Sequence, residues 1–290
     1  MKKVLRAVGR VIAFPFRIIG RGINRLIGKI RVFFLDEPEE APVGDSLQRA
    51  MDNPGSLLEH IDALRRHLLR SVIMLLLLAV VAFIFLPDLL DWIAQPIGGM
   101  EELSAVEVTE PIGVGMRIVL LAAFAGSLPY LTFEIFLFVA PALNRRSRLI
   151  GLLAIPLVVI FFFGGMAFAY YLILPTGLPV LLNFIQVPTQ IRPSSYIRFV
   201  TGLMFWIGLV FEFPLLSYLL TSMGIFSAQA LIKNWRLAVV GMSILAAVIT
   251  PTIDPINMLL VMVPLGFLYG LSILLSFLAG SQRRRARSRG

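Results

Sequence analysis

Two glutamates stand where the surrounding residues look like hydrocarbon, and they are the groups whose placement most demands a chemical reason. Glu212 lies in "WIGLVFEFPLL" (206–216) between Phe211 and Phe213, with Pro214 next, and no other acid or base occurs between Phe199 and Lys233. Glu134 lies in "LPYLTFEIFLFVAPAL" (128–143). A charged side chain at membrane depth costs at least about 2.5–3.5 kcal/mol. Such a carboxylate is therefore protonated, hydrogen-bonded to a neighbouring helix, or turned toward water. Three roles fit Glu212: a polar contact for a partner helix, a proton site, or an interhelical hydrogen bond that serves packing alone. Glu134 admits the same roles, and membrane helix ends also tolerate snorkelling groups. Asp254, in "ITPTIDPIN" (249–257), reads as a turn aspartate capping the helix that follows.

A third concentration of charge is "SLLEHIDALRRHLLRSVIMLLLL" (56–78). Leu57, Ile61, Leu64 and Leu68 share one helical face, while Glu59, Asp62, Arg65 and Arg66 are polar. This is an amphipathic helix running directly into an apolar one. Arg65-Arg66 before an apolar stretch superficially resembles a twin-arginine export signal, but arginines ahead of a membrane helix serve more simply as a topological anchor. Nothing resembles a catalytic site: there is no nucleotide-phosphate loop, metal-ligand spacing or Ser/His/Asp set. The chain has no cysteine, which excludes disulfides, thiolate nucleophiles and cysteine-ligated metals or clusters. His60 and His67 are too few for most imidazole-built metal sites. The expectation is a protein that is not an enzyme and carries no cofactor or metal.

The elements that position these groups are membrane helices. Of 290 residues, 58% are hydrophobic and only 15% charged, with a mean hydropathy of +0.88. Soluble domains are less apolar and more highly charged, so the chain is an all-α polytopic membrane protein. Six spans are expected, at 69–90, 113–141, 149–175, 196–222, 236–252 and 255–279. The last two are joined only by "TPTIDP" (250–255) and must form a tight hairpin, and the fifth is short for a full bilayer. Prolines 87, 96, 129, 156, 175, 214 and 264 fall within or at the edges of helices. Each removes a backbone donor and bends the helix, so a bent, concave bundle is expected. No internal repeat relates the two halves, which leaves the inverted-repeat plan of many transporters without support. Gly266-Phe-Leu-Tyr-Gly270 fits GxxxG, a close-packing pattern that suits internal packing at least as well as dimerisation.

The polar margins give topology. Residues 1–34 hold nine Lys or Arg and no acid, opposite an apolar stripe of Val4, Val8, Ile12, Ile19, Ile23, Leu26 and Ile30. That is the pattern of an interfacial helix, broken by Pro15 and glycines, with arginines toward anionic lipids. A disordered basic tail is the alternative. Residues 35–56 form an acidic, proline-containing linker, 57–280 the membrane domain and 281–290 a basic tail. Arginines lie in the second-to-third connection and at the C-terminus, whereas 88–112 hold six acids and no base. The positive-inside rule puts both termini in the cytoplasm. The net charge of +9 suits a membrane surface rather than nucleic acid.

Together these segments resemble the TatC family, the multi-spanning receptor subunits of the twin-arginine protein translocase. "HIDALRRHLL" (60–69) resembles the family's opening His-Leu-x-Glu-Leu-Arg-x-Arg-Leu motif, and "FEIFLFVAPAL" (133–143) its second-helix ending. "FGGMAFAYYLILP" (163–175), "VFEFP" (210–214) and "TPTIDP" (250–255) are similar to its third helix, fourth-helix Phe-Glu-x-Pro motif and last outer turn. The resemblance covers about 57–279 in order. It implies a glove-shaped six-helix bundle in the plasma (inner) membrane that binds twin-arginine signal peptides at its cytoplasmic face. Folded cargo would then be exported with the proton-motive force, alongside single-helix TatA- or TatB-like subunits in a homo- or hetero-oligomer, and with no cofactor. It also implies partner contact at Glu212, and matches Arg65 to the motif arginine.

Two positions depart from the family pattern. The motif glutamate of the opening helix falls on Ala63, and the glutamate of the second-to-third loop falls on Ser147. In the family those carboxylates are thought to read the signal's arginine pair, which needs charge-assisted acceptors. Between Glu134 and Glu212 there is no acid at all. The expected replacements are Glu59, four residues before Ala63 on the same helical face, or the adjacent Asp62, with Glu134 the nearest remaining acid to the loop. Two other functions compete with the receptor reading. One is an ion-coupled solute transporter using Glu212 and Glu134; the other is a divergent scaffold that has lost signal reading, favoured by Ala63 and Ser147.

Overall fold

The computed structural model describes residues 54–142, 145–183, 191–223, 226–249 and 255–287. The basic segment 1–34, most of the linker 35–56, and Asp254 with the rest of the last outer turn lie outside the described residues. The chain runs α1 (Pro54–Ile84), α2 (Leu86–Ala94), α3 (Glu110–Val139), α4 (Arg145–Phe168), α5 (Leu174–Asn183), α6 (Pro193–Phe211), α7 (Phe213–Met223), α8 (Ala228–Lys233), α9 (Trp235–Ile249) and α10 (Pro255–Arg287). Among the described residues there is no strand, only an isolated bridge between Leu103 and Ile191.

Five stretches are long and apolar enough to cross a membrane: Ile61–Ile84, Glu110–Val139, Arg148–Pro179, Pro193–Ser222 and Val261–Ser281. The remaining expected span, the fifth, is α9, whose 15 residues rise only about 22 Å against a hydrocarbon core of about 30 Å. The third span is α4 and α5 joined through a π-helical turn, Ala169–Ile173, and the fourth is α6 continued by α7.

The first span is displaced from its expected position. The apolar stretch begins at Ile61 rather than 69, in an unbroken helix on which Asp62, Arg65 and Arg66 are exposed. It ends at Ile84 because Pro87 cannot donate to the carbonyl four residues back, and the helix breaks at Phe85. The segment after the break is not a plain connection. Helix α2 buries Ile93 and Ala94, and packs Leu86, Leu89, Leu90 and Trp92 against the core. Its last turn is also tied to other spans, whose tyrosines donate to its carbonyls. Tyr170 donates to Trp92 O at 2.5 Å and stacks on the Trp92 ring, and Tyr196 donates to Ile93 O at 2.7 Å. At the other extreme, α10 runs on to Arg287, past the expected end of the sixth span.

Lipid is as apolar as leucine, so helix association here depends on close packing and polar contacts. The third and fourth spans meet at Gly165 and Gly208, where a Cβ on Gly165 would lie 2.8 Å from Gly208 Cα. Gly266 and Gly270, by contrast, are exposed, and a Cβ added at either would meet nothing within 4 Å. GxxxG is thus not an internal packing contact among the described residues. The main core joins Ile118 and Leu121 of α3, Tyr170 and Ile173, Val200 and Met204 of α6, and Val261 and Leu265 of α10. Helix α1 stands largely outside it, attached along α3, with Ala82 its buried apolar residue.

Candidate functional site

The polar groups singled out by sequence fall into two separate places. Glu212 interrupts the fourth span. Pro214 has no N–H to give the Val210 carbonyl, so α6 ends at Phe211 and α7 starts at Phe213. The Glu212 N–H turns to Leu209 O at 3.1 Å, and its carbonyl accepts from Leu216 N at 2.9 Å. Its side chain enters a groove of about 430 Å³ between the fourth, fifth and sixth spans. Trp206, Phe213, Met242, Leu265, Leu268 and Tyr269 are among the residues that line it, and Glu212 is the one ionisable carboxylate there. Glu212 Oε1 is buried without a hydrogen-bond partner among the described residues. A carboxylate oxygen in an apolar groove is costly unless another group completes it.

Glu134 is elsewhere, in the seam between the first and second spans. It is 3% exposed. Tyr130, one turn earlier on α3, donates to Oε1 at 2.6 Å, and His67 of α1 contacts Oε2 through Nδ1. The His67 ring also lies edge-on to Phe138. Nearby, buried Arg148 of α4 donates to Ala140 O at 2.8 Å, tying the second-to-third turn back onto α3. Glu134 and Glu212 thus lie in separate surroundings, one in the seam of the first two spans and the other in the groove of the last three.

The start of α1 is an open face. Asp62, Arg65 and Arg66 are exposed, and so is the apolar stripe of Ile61, Leu64 and Leu68. Ala63 is half-buried, while the side chains of Glu59 and Ser147 lie outside the described residues. Sequence reasoning misses His67 and Tyr130 as partners of Glu134. Tyr130, four residues before the glutamate, is readable from helical spacing. His67 is not, since nothing local says which helix Glu134 faces.

The family model of the Sec-independent protein translocase protein TatC matches residues 59–264. The chain belongs to the TatC family. It is similar to TatC of Deinococcus radiodurans, 35% identical over 229 residues that cover 76% of this chain and 85% of that one. It is also similar to TatC of Carboxydothermus hydrogenoformans, 33% identical over 78% of this chain and 94% of that one. Among solved structures it matches a crystal structure of the twin-arginine translocase receptor TatC, with 28% identity and a TM-score of 0.68 over 76% of this chain and 99% of that one. The six-helix plan read from the sequence is the TatC plan. This member of the family is a multi-pass membrane component of a Tat protein translocase.

Proposed function

We propose that this TatC chain is the receptor that binds twin-arginine signal peptides at the start of α1. With single-helix Tat subunits, it then exports folded proteins using the proton-motive force. Both termini lie in the cytoplasm in this reading, supported by the arginines at one end of the bundle and the acids of 88–112 at the other. The observation that carries the proposal is the exposed pairing of Asp62 with the stripe Ile61, Leu64 and Leu68. Export signals combine a basic segment with an apolar one. A carboxylate beside an apolar stripe can receive a guanidinium and the segment that follows it. Glu134, buried and bonded twice, is not offered to a ligand, so the acceptors assigned are Asp62 and Glu59. A second reading, a scaffold without signal reading, is favoured by Ala63 and Ser147.

The test is photo-cross-linking of a twin-arginine peptide to α1. Capture should fall about tenfold in Glu59→Gln/Asp62→Asn, the loss of one or two charge-assisted hydrogen bonds. Undiminished capture would mean that these acids do not read the signal.

The Glu212 groove is assigned to a partner helix, which would bring the polar group that Oε1 lacks. Replacing Glu212 by Gln keeps hydrogen-bonding capacity and should leave co-purification of the single-helix subunits intact. Glu212→Leu should weaken it several-fold, as expected for an interhelical hydrogen bond worth about 1 kcal/mol. Equal co-purification of the Leu variant would remove Glu212 from the contact.

A further inference from the structure

A second, larger cleft opens at the other end of the bundle, where α3 and α6 begin. Its volume is about 1120 Å³. Its rim is built by polar ties between the two helix starts. Buried Glu110 accepts from Ser194 N at 2.8 Å, an orphan donor of the first turn of α6, and from Val106 N at 3.1 Å. Arg192 pairs with Glu107 at 3.1 Å. Below this rim the same faces present Arg117, seven residues after Glu110, and Arg198, four residues after Ser194. With Glu110 and Ser194 level, these arginines lie about 10 and 6 Å deeper along their helices. Both are exposed within the cleft, and neither makes an ion pair or hydrogen bond with another described residue. The cleft carries three guanidinium groups against two carboxylates, and both carboxylates are already engaged.

Arginine inside a span is costly unless it meets an anion or water. Two guanidinium groups facing one cleft at similar depth match a phosphate, whose oxygens accept the arginine fork bidentately. The deeper walls are apolar: Leu75, Leu120, Leu121, Phe124, Phe199 and Phe205. A free phosphate would leave those walls uncovered, whereas a phospholipid covers them with its acyl chains. The interfacial layer on each side of the hydrocarbon core is about 5–8 Å thick, which places the arginines at the boundary between headgroup and chains. We propose that this cleft is a phospholipid site, with the phosphate held between Arg117 and Arg198 and the acyl chains against the apolar walls. It is separate from the signal-reading start of α1: His67 there contacts Glu134, and along α3 Glu134 is about 25 Å from Arg117.

The test uses the purified full chain in mild detergent, stripped of lipid. Short-chain phosphatidylglycerol should raise its thermal unfolding midpoint, while the matching diacylglycerol, which lacks the phosphate, should not. Native mass spectrometry should show phosphatidylglycerol retained by the wild type, and retained less by Arg117→Lys/Arg198→Lys, which keeps the charge but loses the bidentate fork. In Arg117→Gln/Arg198→Gln, retention should fall about tenfold. Arg236→Gln, outside the cleft, should match the wild type. Equal stabilisation by diacylglycerol would overturn the proposal, as would unchanged retention in the glutamine pair. Displacement of the lipid by millimolar inorganic phosphate would overturn the lipid assignment. The wild-type arm reads the phosphate requirement even where a variant fails to fold.

Discussion

Glu134→Leu will loosen the first span from the second. The substitution strands the His67 ring and the Tyr130 hydroxyl, both of which bond to the Glu134 carboxylate. Two lost hydrogen bonds, with donors left unpaired in an apolar seam, should cost about 2–3 kcal/mol. Helix α1 packs on the bundle chiefly along α3, so a weakened seam should show first as loosening of α1. The diagnostic variant is His67→Leu/Tyr130→Phe/Glu134→Leu, which removes the whole polar set. Replacing all partners by apolar groups is nearly neutral where removing one is not. Thermal unfolding in detergent should therefore show the triple variant recovering most of the stability lost by the single one. Additive losses across the three positions would mean that the groups are not coupled.

The second large effect is expected at the crossing of the third and fourth spans. A Cβ on Gly165 would meet Gly208 Cα at 2.8 Å and the Phe211 side chain at 2.8 Å. Because one of those atoms is backbone, no rotamer change relieves the clash, and the helices must separate. Gly165→Val should cost about 3 kcal/mol or more and sharply reduce accumulation of folded protein. Gly208→Ala is the contrast. Its Cβ would meet the Phe162 ring at 3.0 Å and Met166 Cγ at 3.2 Å, and side chains can shift. It should be clearly milder when the two are compared by folded yield and unfolding midpoint. Equal behaviour would show that the spans do not cross so closely.

These two sites show what the sequence could reveal. Glu212 and its helix break are legible because proline and glutamate act locally: a missing N–H at residue 214 opens the helix wherever it lies. The short fifth span is legible from the few residues between Arg236 and the outer turn. Helix α2 is not, because its value lies in carbonyls that accept from Tyr170 and Tyr196, more than 70 residues away in sequence. His67 escapes for the same reason, since its role depends on which face of α3 packs against α1. Gly266 and Gly270 mislead in the other direction: their spacing permits close approach, but no described helix makes one. The Gly165–Gly208 contact has no such spacing signal and forms only through the crossing of two spans. Arg117 and Arg198 lie on different helices, and only the fold brings them to one cleft.

The receptor reading is tested most directly by export. This chain should be expressed in cells lacking their own TatC, with a folded reporter carrying a twin-arginine signal and matched single-helix subunits. The reporter should cross the membrane folded, and changing the signal's Arg-Arg to Lys-Lys should abolish its export. Export indifferent to the arginine pair, or no export from a stably inserted chain, would contradict signal reading and leave the scaffold.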